Sequence, residues 1–273
     1  MIGISFSSKK VYDTCPAWYE FKYIKKEYTY ENPKNTFLGN TIGKYFEWFY
    51  SENLWQNDWY KRLDHDISRT LEENSRNFDK EQYKSMIDET RLKLYELIPR
   101  GVDTINTFKL VAPVVTCEQV LNVTYSHPSR PFPIKIKGRS DFIYYYSKDD
   151  IRIFDGKASK YRHRNVDKEQ LILYALMFYL KYHVIPSQLG FIYWYFPKKP
   201  IDMVYLEEGD LNRVLDDLYR LATRLQDGDF KPNPAGHCYI CPYSDRCISG
   251  KEHLKVNKKH LPVMSKEFDL EII

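Results

Sequence analysis

GRSDFIYYYSKDDIRIFDGKAS, residues 138–159, is the stretch whose reading decides the fold. Two aromatic and β-branched runs flank the turn-like SKDD at Ser147–Asp150, so the segment reads as a β-hairpin. Asp141 lies on its first strand, Asp155 and Lys157 on its second. Side chains alternate faces along a strand, so Asp155 and Lys157 share one. Residues directly opposite in an antiparallel pair share a face as well. Asp141 therefore joins them only if an odd-numbered residue of the second strand stands opposite it. This arrangement predicts an odd-length loop around Ser147–Asp150, or a bulge. Two carboxylates and one ammonium then converge at one end of a sheet.

Outward from the hairpin, the first strand candidate extends back through IKIK at 134–137, after the turn-like HPSRPFP at 127–133. KLVAPVVTCEQVLNVTYS, 109–126, is β-branched and strand-like. On the other side, VDKEQLILYALMFYLKYH, 166–183, is a strongly apolar helix, followed by the strands SQLGFIYWYF (187–196) and IDMVYL (201–206). EGDLNRVLDDLYRLATRLQDG, 208–228, is an amphipathic helix ending at Gly228. The first hundred residues are helical in character. Ser7 and Ser8 precede a short capped helix carrying Cys15, FLGNTIGKYFEWFY (37–50) is a helix with an aromatic face, and DKEQYKSMIDETRLKLYELI (79–98) is the clearest helix of a charged stretch. Helices, strands, helix, strands, helix: the order is that of an α/β or α+β layered domain with its sheet between helices.

The two carboxylates give the hairpin its chemistry. Side by side they repel, and a cation between them removes the cost. Mg²⁺ takes hard oxygen ligands and keeps several waters, which leaves room for a substrate phosphate. A bound metal polarises a phosphoryl oxygen and lowers the pKa of its water, and a neighbouring lysine orients or helps deprotonate that water. The set is that of a phosphodiester hydrolase. An isolated D-x-K is most often a pair of solvated charges on a surface strand. Here Asp155 follows the apolar-rich IRIF, Gly138-x-x-Asp141 precedes it at hairpin distance, and Gln170 and Tyr174 follow at i,i+4 on one helix face.

Composition sets the bounds. The 273 residues are 43% hydrophobic and 29% charged, which excludes wholesale disorder and fibrous classes. No apolar run approaches the roughly 20 residues of a membrane span, and MIGISFSSKKVYD lacks the apolar core of a signal peptide. The expectation is an intracellular, cytoplasmic protein, in a host cytoplasm if viral. A net charge of +4 permits nucleic-acid binding without arguing for it. Of the five cysteines, Cys117 sits among valines and reads as a small core residue. Cys238, Cys241 and Cys247 form C-x2-C-x5-C within GHCYICPYSDRC, and Cys15 is the remaining candidate ligand. Spacing alone leaves an iron–sulfur cluster and a zinc site, with His237 as a further zinc ligand, both open.

GRSDFI, IFDGKAS and QLILY together resemble the PD-(D/E)XK nuclease superfamily, specifically its RecB-like branch. Cys15-Pro16 and C-x2-C-P-x4-C extend the resemblance to the iron–sulfur nucleases of that branch, typified by the AddB nuclease domain and the CRISPR-associated iron–sulfur exonucleases. It implies a restriction-endonuclease-like core, a central mixed β-sheet flanked by helices, over 105–230. N-terminal helices (1–50), a helical insertion (51–104), the cysteine segment (231–250) and a tail (251–273) surround that core. By resemblance, Asp141, Asp155 and the backbone carbonyl of Gly156 hold Mg²⁺ or Mn²⁺. Lys157 activates the attacking water, and Gln170 and Tyr174 support the site and the DNA backbone. Cys15, Cys238, Cys241 and Cys247 bind a [4Fe-4S] cluster, with Zn²⁺ the alternative. The activity implied is DNA cleavage, exonucleolytic, alongside a helicase or recombination protein.

Lys160, Arg162 and Arg164, directly after the lysine of the motif, are candidates to grip phosphates. One departure stands out. The family carries G-x-x-x-H on its first long helix; here Gly39 is followed by Gly43 at the histidine position, then Glu47. Glu47, a water, or a distant His65 or His163 completes the metal shell, or the chain is an inactive DNA-binding subunit.

Overall fold

The computed structural model describes residues 3–27, 33–56, 58–76, 78–158, 167–196 and 198–256. The chain divides into two compact units, one of Met1–Asn32, Thr124–Lys137 and Asn212–Ile273, the other of Pro33–Val123 and Gly138–Leu211.

The second unit is built on a five-stranded sheet in the order β2 (Val114–Val120), β5 (Arg139–Tyr145), β6 (Ile151–Lys157), β7 (Gln188–Tyr193), β8 (Ile201–Val204). The β6–β7 pair is parallel and the others antiparallel. A parallel neighbour needs a crossover, and α6 (Lys168–Tyr182) supplies it. Asp167 caps α6 by accepting the Glu169 amide, and His183 ends it in the left-handed conformation at φ 59°. Leu171 through Phe178 are all buried, as expected of a helix apolar all round.

The opposite face of the sheet packs on α3 (Pro33–Ser51), α4 (Trp59–Ser75) and α5 (Lys84–Thr107). Phe46, Phe49 and Tyr50 from α3 and Leu94, Leu97 and Ile98 from α5 form one core with Phe142, Tyr144, Phe154, Ile192 and Trp194 of the sheet side. Phe46 and Trp194 stack with ring centroids 4.5 Å apart. Trp55 and Trp59 pack against this core, and Arg69 lies over the Trp48 ring at 3.4 Å. Helix α5 starts five residues later than its periodicity suggests and runs on through Pro99, because Val102 and Ile105 continue its buried face.

The first unit holds a small sheet in the order β1 (Gly3–Ser5), β4 (Ile134–Lys137), β3 (Val123–Tyr125). Around it lie α1 (Phe6–Thr14), α2 (Pro16–Tyr19), α7 (Asp210–Gln226) and α8 (Ile248–Val256). Helix α1 begins one turn earlier than the serines suggest. Ser5 is its cap, in a reciprocal pair with Ser8, and Cys15 is the joint between α1 and α2. The long strand expected over 134–146 is two: it breaks at Gly138, and IKIK pairs with β1 instead of joining the hairpin's sheet. Among the described residues, no helix is long and apolar enough to cross a membrane.

Candidate active site

Strand pairing places the carboxylates. Tyr145 pairs with Ile151, which leaves a five-residue loop, 146–150, of the odd length the sequence requires. One step beyond the Phe142–Phe154 pair, the same register sets Asp141 opposite Asp155. On the far side of β5, the β2 register sets Glu118 opposite Asp141: Cys117 pairs with Phe142 and Gln119 with Ser140, while Glu118 itself, at φ 52°, makes no pair. Continued through these registers, the three carboxylates fall at neighbouring positions of three adjacent strands.

The remaining groups knit this rung to α6. Gln170 Nε2 donates to Asp155 Oδ1 at 2.8 Å and to the Tyr174 hydroxyl at 3.0 Å, while Gln170 Oε1 accepts from Lys157 Nζ at 3.0 Å. Lys157 Nζ lies 2.7 Å from Asp155 Oδ2. The Gly156 amide donates to Asp141 Oδ2 at 2.8 Å. Gly138, the glycine of G-x-x-D, lies against the Met177 side chain of α6. A Cβ there would lie 2.2 Å from Met177 Cε and 3.4 Å from Tyr174 Cε1, so a side chain would have to displace the tip of the Met177 side chain. The structure thus brings Asp141, Asp155, Lys157, Gln170 and Tyr174 together.

The field at this site is negative. Burial, then the charges of Asp155 and Glu118, push the Asp141 carboxyl well above the usual carboxylate range, against the Gly156 amide and Lys157. Burial first, then Glu47 and Asp155, raise Glu118, against Arg139 and Lys44. Tyr174 is raised by burial and by both aspartates. Asp155 is 2% exposed, and its Oδ2 finds no hydrogen bond among the described residues despite the nearby ammonium. Buried carboxylates left short of donors and repelling each other are the setting a divalent cation relieves, and an all-oxygen donor set suits Mg²⁺ or Mn²⁺. Among the described residues, no three His, Cys, Asp or Glu side chains already close on a single ion position. The oxygen pair at Asp141 and Asp155 fits a cation that keeps much of its water.

The other described candidates have partners of their own. Glu47 is paired with Lys44 at 2.8 Å, and its charge is felt at Glu118. His65, on α4, has Nδ1 3.0 Å from Asp66 Oδ1. Lys160, Arg162, His163 and Arg164 lie outside the described residues. Sequence reasoning missed Glu118. Its signal was an acidic residue in a strand of valines, but the rung it occupies depends on a strand pairing that local pattern does not reveal.

In the first unit, Cys15, Cys238, Cys241 and Cys247 line one cavity with Trp18, Phe21 and His237; its empty volume, mouth included, is ≈ 330 Å³. Cys238 lies on the 3-10 turn Gly236–Tyr239, and Cys247 immediately precedes α8. The Asn233 amide points at Cys15 Sγ at 3.5 Å and the Gly250 amide at Cys247 Sγ at 3.4 Å. Burial, with the other three sulfurs, pushes the Cys241 thiol up to about 11. Cys117 packs beside the core of the second unit and is not among the residues that line this cavity.

A mixed sheet carrying opposed aspartates and a lysine on its central hairpin, with a helix locking them, defines the class: a metal-dependent phosphodiester hydrolase. The comparisons agree. The family model of the PD-(D/E)XK nuclease superfamily matches residues 3–248, and the chain belongs to that superfamily of metal-dependent nucleases. The crystal structure of SSO0001 is similar over 90% of this chain and 95% of that one, at 18% identity and a TM-score of 0.34, a superposition too loose to carry an argument. No curated protein matches the chain.

Proposed function

We propose that this chain is a deoxyribonuclease of the RecB-like branch, dependent on Mg²⁺ or Mn²⁺ and acting as an exonuclease. The observation that carries the reading is the Asp141–Asp155 rung with Lys157 held against it through Gln170. Asp141, Asp155 and the Gly156 carbonyl hold the ion, with Glu47 in reserve. When bound, it polarises the phosphoryl oxygen and acidifies the attacking water. Lys157 orients that water and offsets charge developing on the phosphate. Gln170 keeps Lys157 and Asp155 in one geometry, and Tyr174 braces Gln170. Lys160, Arg162 and Arg164 contact the DNA backbone, so cleavage reads little sequence.

The four cysteines hold a [4Fe-4S] cluster that ties residue 15 to residues 238–247. Their shared cavity and the backbone amides aimed at two of the sulfurs support this, since such amides favour thiolates. Zn²⁺ is the alternative, and a helicase or recombination protein is the expected partner.

The test is cleavage of end-labelled single- and double-stranded DNA with each metal. Stepwise release of nucleotides is expected; no release with Mg²⁺ or Mn²⁺ would refute the enzyme. One observation favours a second reading, a DNA-binding subunit without cleavage: position 43, where the family's histidine falls, is glycine.

A further inference from the structure

We propose that Glu118 is the third carboxylate of the metal site, holding the cation through one of its waters and standing in for the side chain that Gly43 lacks. This rests on the nuclease reading above and says how its site is completed.

A Cβ built on Gly43 would lie 3.5 Å from Glu118 Oε1, an ordinary contact distance, so the glutamate's carboxylate fills the space beside that helix position. Its other oxygen, Oε2, is buried without a hydrogen bond among the described residues and forms an ion pair with Arg139 Nε at 2.7 Å, while Oε1 is the atom turned to α3. The β2 register sets Glu118 across from Asp141, itself across from Asp155. Asp155 is 2% exposed, and its Oδ2 has the Lys157 ammonium at 2.7 Å but no hydrogen bond among the described residues. The left-handed φ of 52° is a conformation a glutamate rarely adopts, and it takes Glu118 out of the ladder that its neighbours keep. Mg²⁺ and Mn²⁺ sites retain waters, and a carboxylate accepting from such a water stabilises the ion without touching it. Partners of this kind are worth roughly 10–100-fold in metal affinity.

The experiment measures Mn²⁺ binding to the full chain by electron paramagnetic resonance, beside the melting temperature of each metal-free variant. Glu118→Gln is expected to weaken Mn²⁺ at least about tenfold without lowering the metal-free melting temperature, because glutamine has the same size and its amide oxygen still accepts from Arg139. Adding Gly43→His to Glu118→Gln returns a donor to the same space and recovers affinity, which a role confined to pairing with Arg139 would not do. Asp155→Asn abolishes binding and serves as the reference. If the native chain binds Mn²⁺, Asp155→Asn does not, and Glu118→Gln binds as the native chain does, the Glu118 proposal is overturned and the nuclease reading stands. If the native chain binds no better than Asp155→Asn, the metal site itself is refuted.

Discussion

The hairpin register, carried one step past the Phe142–Phe154 pair, sets Asp141 against Asp155, and each is held by a different device: a backbone amide from Gly156 for one, the Gln170 side chain for the other. The two carboxylates are therefore placed by hairpin register and fixed by partners that do not compete with each other.

Lys157 reaches both Gln170 Oε1 and Asp155 Oδ2. Lys157→Ala should lower DNA cleavage by at least about 100-fold, the scale of a positioned proton-transfer group, while DNA binding persists. Unchanged cleavage in a labelled-substrate assay would remove Lys157 from the chemistry.

Gln170 satisfies Asp155, Lys157 and Tyr174 at once. Gln170→Ala leaves the buried Asp155 Oδ1 without its donor, at about 1–3 kcal/mol. A lower denaturation midpoint and slower cleavage are expected together. A variant as stable and as active as the native chain would show that this helix contact is dispensable.

The metal-free protein should lose stability as pH rises. Asp141 and Glu118 hold their protons above the ordinary carboxylate range when folded, Asp141 far above it. Between the unfolded and folded pKa values, the folded chain binds protons that the unfolded chain has released, so the slope of unfolding free energy with pH is negative. Below about pH 4 the penalty is absent. Mg²⁺ reverses the trend, raising the melting temperature more at pH 8 than at pH 5, because binding requires the carboxylates deprotonated. Melting curves across that range, with and without Mg²⁺, read both effects; a metal-free melting temperature that rises with pH contradicts the assignment.

Anaerobically purified protein should be brown, with about four irons per chain. Cys247→Ser should lose the colour and melt at lower temperature, since the energy of binding at a cross-chain site is folding energy. Colourless protein with stoichiometric zinc would select the alternative metal. An unchanged melting temperature would reject the cysteines as a staple.

The hairpin is legible in the sequence because its information is local. Alternation puts Asp155 and Lys157 on one face, and the requirement for an odd loop is arithmetic that the Tyr145–Ile151 pair satisfies. Helix α6 was legible for the same reason: an uninterrupted apolar run bounded by Asp167 and His183. Gln170 and Tyr174 stood out as an i,i+4 pair on one side of it.

Other features are not written in any short window. IKIK continues the strand pattern into the hairpin, yet it pairs with β1, more than a hundred residues earlier in the chain, and breaks at Gly138. Glu118 reads as one polar residue in an edge strand until the β2–β5 register sets it beside Asp141 and in the space next to Gly43. The sequence by itself determined the hairpin, its D-x-K face and the helix that follows, because periodicity and chain alternation act within a few residues. Tertiary structure alone decided which distant carboxylate comes beside Asp141 and where IKIK finds its partner strand, because strand partnering and burial are settled by packing between segments whose separation along the chain carries no signal of their contact.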